Sequence, residues 1–179
     1  MKKTNQRIIK VCCLTGHRPK GFLWDYYNTQ SDEHQRYLSA LRICIMNLIE
    51  KQGVNYFISG CAIGADLDFA EICVSIRDSE HSDILIEGAI PCDNQDLKWS
   101  KPDKERYKTI ISKLNRVHYV SHMYSKICFQ KRNEYMVDRS DIVIAVWNKE
   151  ETGGTWNTIK YARQKQKSID YILLENYIR

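Results

Sequence analysis

The residues best suited to chemistry in this chain fall into three small clusters of glycine, hydroxyl and charged side chains. They are Thr15-Gly16-His17-Arg18, the run from Ser59-Gly60 through Gly64-Ala65-Asp66, and Thr152-Gly153-Gly154-Thr155. Glycine lets a ligand approach the backbone closely and tolerates positive φ. Helices starting after Gly60 and Gly153 would present free N–H groups, which favour an anion. Thr15, Ser59 and Thr155 add hydroxyl donors. Arg18 and Arg132 supply charge, and the planar guanidinium suits phosphate. Arg132 is followed by Asn133, a mediocre residue inside a helix, which makes the pair more telling than either residue alone. In outline this is a phosphate or nucleotide pocket.

Other side chains carry weaker signals. Asp66 and Glu71 sit about one helical turn apart and could hold ribose hydroxyls or act as acid and base. A carboxylate near a helix start also serves the helix dipole, and Glu71 has an equally good reading as a solvated residue. Trp99, four residues after Gln95, could stack a base or pin its loop to the core. Trp24, Tyr26 and Tyr27 either close over the crevice or pack on a helix. His118 and His122 lack a third ligand in context, so no metal site is expected. GCAIGAD is not a Walker A loop, because no Gly-Lys-Ser/Thr follows. No GxGxxG follows the first apolar run, which argues against an ordinary NAD-dependent dehydrogenase.

The elements that would position these clusters alternate. Residues 8–14, 54–58, 83–90, 116–121, 141–147 and 169–174 read as strands. Between them, 32–51, 64–77, 103–115, 126–138 and 153–166 read as helices, the first with Ser31 as N-cap and Gly53 as its stop. Such alternation predicts βαβ units and an α/β three-layer sandwich with a mostly parallel sheet. Near-continuous apolar runs such as DIVIAVW fit strands covered on both faces. All strand C-terminal ends then share one edge, so the three clusters are predicted to converge on a single crevice. The polar segment 91–102 is long enough to act as a lid.

With 179 residues the chain reads as one domain. A net charge of +5 suits an anionic small ligand without demanding one. The seven cysteines form no CxxC pair and mostly sit in apolar runs, where a free thiol behaves as a small hydrophobe. No secretory h-region opens the chain and no apolar run approaches 18 residues, so a cytoplasmic protein without a membrane span is expected.

Taken together, TGHRP, SGCAIGAD, the P-x-x-x-Q-x-x-x-W spacing at 91–99, RNEYMVDRSDIVIAVW and GGTWNTIKYA closely resemble the YpsA-like proteins of the SLOG superfamily. Relatives of that group include DprA and the LOG phosphoribohydrolases. The resemblance spans residues 8–174. It implies a Rossmann-like domain that binds a nucleotide or nucleotide-derived ligand, with no cofactor required. It further implies a pocket built from the loops at Gly16-His17-Arg18, Ser59-Gly60 with Gly64-Ala65-Asp66, Arg132-Asn133 and Gly153-Gly154-Thr155. One departure matters. Where the LOG enzymes carry the Glu of PGGxGTxxE, this chain has Thr158. Thr cannot serve as a carboxylate base, so catalysis would need Asp66 or Glu71 instead.

The leading expectation is therefore a sensor or binding domain for a phosphate-bearing, ADP-ribose- or NAD-like ligand, without strong catalysis. An N-glycosidase acting on nucleoside monophosphates is the alternative. A further alternative is DprA-like binding of single-stranded nucleic acid through Lys160, Arg163, Lys165 and Lys167. The apolar stripe within residues 38–49 serves either the core or a homo-oligomer interface.

Overall fold

The structure is a computed structural model that describes residues 8–178. The amino-terminal segment read for a targeting signal lies largely outside those residues. Six strands alternate with five helices: β1 (Val11–Gly16), α1 (Asp32–Gln52), β2 (Tyr56–Ser59), α2 (Ala65–Ser79), β3 (Leu85–Ile90), α3 (Lys101–Ile111), β4 (Arg116–Tyr119), α4 (Cys128–Asp138), β5 (Ile142–Trp147), α5 (Gly153–Gln164) and β6 (Ser168–Leu173). The strands form one sheet in the order β4-β3-β2-β1-β5-β6, and every pairing is parallel. The sheet is thus wholly rather than mostly parallel. No helix among the described residues is long and apolar enough to cross a membrane.

Strand alternation divides the core into two layers. Cys12 and Leu14 of β1, Phe57 of β2 and Ile144 of β5 join the cluster under α1 and α2. Cys13, Ile58 and Val143 point the other way, against Met136 and Val137 of α4 and Ala162 of α5. Both faces of the central strands are therefore covered, which explains their unbroken apolar sequence. On α1, Tyr37, Leu41, Ile45 and Leu48 are fully buried and recur at helical spacing. Each such side chain contributes roughly 1.5–3 kcal/mol by leaving water. That stripe is consumed by the core. Ser31 caps α1 by accepting the His34 N–H at 3.2 Å, and Gly53 ends it in the left-handed region at φ 72°.

The boundaries shift where local hydrogen bonds override apolar pattern. β1 starts at Val11 rather than residue 8, because the ladder to β2 begins there and Ile8 and Ile9 are exposed. α3 starts earlier than residue 103: the Ser100 hydroxyl accepts the Asp103 N–H, with Pro102 in the first turn. It ends at Ile111, and Asn115 then bridges to β3, its N–H bonding the Ile86 carbonyl and its Oδ1 accepting the Ile86 N–H. The segment 91–102 is tied down at several points. Pro91, Cys92 and Gln95 are buried, and Trp99 packs edge-on against Tyr107 at 5.3 Å.

The seven cysteines are free, and six of them are buried. Burial pushes the Cys13 and Cys61 thiols up to about 12, so they stay protonated and act as packing groups.

Candidate functional site

Strand order reverses between β1 and β5, since the chain runs outward through β2, β3 and β4 before returning beside β1. A crevice opens at the C-terminal ends of the strands there, the usual ligand position in a sheet of this kind. It holds about 290 Å³. Thr15, Gly16, His17 and Arg18 contribute from the end of β1, Ala62 and Asp66 from the β2–α2 junction, and Gly154 and Thr155 from the start of α5. From α4 come Phe129, Arg132, Asn133 and Met136. The three sequence clusters thus meet at one site.

Glycines set the close contacts. A Cβ on Gly16 would lie 2.4 Å from the Ala65 Cβ, so α2 could not approach β1 as it does. Gly64 has φ +104°, and a Cβ there would sit 2.3 Å from the His17 carbonyl oxygen. That oxygen accepts the Ala65 N–H at 3.1 Å, which locks the first loop onto the start of α2. A Cβ on Gly60 would fall 1.5 Å from Arg132 Nη1 and displace the guanidinium. Gly60, Gly64, Ala65 and Ser59 therefore shape the crevice from behind its lining. The Ser59 hydroxyl donates to the Asp66 carbonyl at 2.7 Å and accepts the Cys61 N–H at 3.0 Å.

Asp66 and Arg132 form a buried ion pair, Nη1 to Oδ2, at 3.2 Å. Burial raises the Asp66 carboxyl above its ordinary value. Arg132, the Ala62 N–H at 3.4 Å and the field of Arg18 oppose that rise. The pair occupies only one edge of the guanidinium. Nε is buried without a hydrogen-bond partner, and Nη2 has none among the described residues. The Nε/Nη2 edge is the fork that binds an oxyanion in bidentate fashion. Arg18 is exposed and makes no ion pair among the described residues; its guanidinium lies 5.5 Å from the centre of the Phe129 ring. Burial holds His17 below the ordinary histidine range, and its buried Nε2 lacks a partner.

The start of α5 completes the electrostatics. Thr152 makes no side-chain cap, and no acidic residue lies in the first turn. A Cβ on Gly153 or Gly154 would meet nothing within 4 Å, so both glycines border open space at the start of α5. Uncapped donors at a helix N-terminus attract anions.

Several expected residues lie elsewhere. Glu71 points away from the crevice and pairs with Arg106 of α3. Gln95 donates from Nε2 to the Cys61 carbonyl at 3.2 Å, and Trp99 packs on Tyr107; neither lines the crevice. Thr158 is fully buried and donates to the Gly154 carbonyl at 2.8 Å, one turn back in its own helix. Trp24 and Tyr26 pack against α1, with the Trp24 indole N–H donating to His34 Nδ1 at 3.3 Å. His118 stacks on Tyr135, and His122 faces Asp93. No group of three metal-ligating side chains occurs among the described residues. The basic residues after Thr155 are partly spent internally: Lys165 pairs with Asp138, and Arg163 lies over Trp156 and Tyr171.

Phe129 and Met136 line the crevice although the sequence reading did not single them out. The signal was there: 129, 132, 133 and 136 lie on one face of a helix.

The YspA SLOG family model, named YpsA, matches residues 12–176. An uncharacterized SPbeta prophage-derived protein YoqJ of Bacillus subtilis is 33% identical over 67% of this chain and 76% of its own length. A UPF0398 protein of Bacillus velezensis is 22% identical over 91% of this chain and 88% of its own, and the UPF0398 protein YpsA of Bacillus subtilis is 21% identical over 91% and 89%. With nearly the whole sheet and every loop of the crevice inside the matched residues, the chain belongs to the YspA SLOG family.

Proposed function

We propose that the crevice binds a nucleotide or nucleotide-derived ligand through its phosphate, and that the protein acts as a binding or sensing domain without strong catalysis. The observation that carries this is the buried Arg132 with its Nε/Nη2 edge unpartnered, in a crevice also lined by the uncapped start of α5. A buried guanidinium edge left without an acceptor is costly unless a ligand supplies one. At about 290 Å³ the crevice lies at the low end of small-molecule sites, which span roughly 300–1,000 Å³. It suits a phosphate with its attached sugar, the rest of the ligand lying across the open edge.

The test is a thermal-shift screen with nucleoside monophosphates, ADP-ribose and NAD. A ligand at 100 times its Kd adds about 2.7 kcal/mol of stability. Arg18→Ala should weaken the response, since Arg18 is exposed at the crevice and its loss leaves the fold intact. Absence of any shift across the screen would overturn the reading.

The N-glycosidase reading keeps one supporting observation. Asp66 is the carboxylate that lines the crevice, and burial raises its pKa toward that of a general acid. Incubation with nucleoside monophosphates and detection of free base tests it. Release that survives Asp66→Asn would remove Asp66 from that role.

A further inference from the structure

A second cavity, of about 440 Å³, opens where the 26–29 loop meets α1, α2 and the start of α3. The chemistry of its lining is opposite to that of the crevice. Asp68 and Arg106 form an ion pair at 2.7 Å in its wall, and Asp68 also accepts the Tyr26 hydroxyl at 2.7 Å and the Tyr37 hydroxyl at 3.0 Å. Once that pair is set aside, Glu71 and Asp103 remain. Glu71 shares Arg106, but Asp103 has no cationic partner among the described residues; its Oδ2 accepts Ser100 at 2.6 Å and Tyr27 at 3.3 Å. The formal charge of the lining is −2 with His34 neutral, in a chain whose net charge is +5.

The walls are as specific as the charge. The Tyr26 and Tyr27 rings stand at 82° with centres 5.4 Å apart, a two-sided aromatic corner. The edge of one ring meets the face of the other, Tyr26 is buried, and exposed Tyr27 keeps a π face open to a cation. Leu38, Ile72 and Pro102 supply an apolar surface for a hydrocarbon stem. His34 lines the same cavity and is only 2% exposed. Its Nδ1 accepts the Trp24 indole N–H, so the neutral ring carries its proton on Nε2. That Nε2–H has no acceptor among the described residues.

We infer that this cavity binds a small organic cation: a primary ammonium on a short apolar stem that bears an acceptor oxygen. The ammonium sits in the tyrosine corner between Glu71 and Asp103, the stem lies on Leu38 and Ile72, and the oxygen accepts from His34 Nε2–H. A free small molecule fits better than a side chain of a partner protein, because His34 as a residue is only 2% exposed and the acceptor must enter with the stem.

The experiment is calorimetric titration of the full chain at pH 7 with 5-amino-1-pentanol, 1,5-pentanediol and Nα-acetyl-lysine methylamide. The amino alcohol should bind and the neutral diol should not. Glu71→Gln and Asp103→Asn should each weaken binding about tenfold, the worth of one charge-assisted contact. Tyr27→Leu should weaken it too, and Arg18→Ala in the crevice should leave it unchanged. Melting curves of each variant confirm that the fold persists. Equal binding of amine and diol, no binding of either, or full affinity in both carboxamide variants would overturn the site. Tighter binding of the lysine derivative than of the amino alcohol would overturn the free-molecule assignment.

Discussion

Replacing Arg132 with Met tests the reasoning about the crevice most directly. The Arg132 and Asp66 side chains are only 6% and 8% exposed, and their contact is 3.2 Å. Met preserves much of the stem volume but leaves Asp66 with the Ala62 N–H at 3.4 Å and the field of exposed Arg18. Breaking a buried pair by removing one partner costs about 3–5 kcal/mol, because the surviving charge stays uncompensated. Domains of this kind have about 5–15 kcal/mol in total, so the variant should remain folded with a clearly lower urea midpoint. The loss should depend on pH in a definite direction. Burial already raises the folded-state pKa of Asp66, and loss of Arg132 raises it further. The folded state then binds more protons than the unfolded state, so stability falls as pH rises between the two pKa values. The steepest slope is about 1.4 kcal/mol per pH unit for one proton. The variant should therefore recover stability toward acid pH, and Asp66→Asn added to it should restore most of the loss at neutral pH. Urea unfolding at pH 5, 7 and 8.5 measures all three effects. A loss below about 1 kcal/mol with no pH dependence would refute the claim that this pair is buried and coupled.

Other substitutions separate backbone strain, hydroxyl contacts and ligand contacts. Gly53→Ala should cost about 1–2 kcal/mol from the left-handed backbone alone, since a Cβ there meets nothing within 4 Å. Gly64→Ala should cost at least about 3 kcal/mol, because a Cβ there adds a backbone clash with His17 to its positive φ. Equal urea midpoints for the two would contradict the close approach of the first loop to α2. Tyr37→Phe should cost about 1 kcal/mol, since Asp68 keeps Tyr26 and Arg106. A loss several times larger would mean that the network depends on all its members. Thr158→Ala should lower stability by about 1–2 kcal/mol and leave nucleotide-induced thermal shifts unchanged, because its hydroxyl is committed to Gly154.

Much of the crevice was legible in sequence because its loops follow strands, and a parallel sheet brings strand ends to one edge. Gly16 and Gly60 were readable as positions of close approach, whereas a Cβ on Gly154 would meet open space. What periodicity could not supply is the partner of each charge. Asp66 and Glu71 look alike on paper as two acids on one helix, yet about 140° of helical rotation separates them. One meets Arg132 in the crevice and the other meets Arg106 on the opposite face. Gln95 and Trp99 were read from a polar segment, whose docking depends on the Cys61 carbonyl 34 residues back and on Tyr107 in the helix that follows. The tyrosine corner is equally invisible from spacing, because adjacent residues ordinarily diverge and only the loop geometry brings these two rings together.

The crevice draws on Thr15 in the first strand, Asp66 in the second helix, Arg132 in the fourth and Thr155 in the fifth. Among the described strands its central strand comes first in the chain, while the neighbour that completes it, β5, comes after four other strands. A nascent chain therefore holds β1 with one side unpaired until residues near 147 have emerged, and a fragment that stops before Thr155 lacks part of the anion cradle. Loop closure over that separation is slow compared with local helix formation. Ligand binding thus discriminates chains that extend past the start of α5 from shorter ones: whatever occupies the crevice stabilises only molecules in which β5 has paired with β1 and the first turn of α5 is in place.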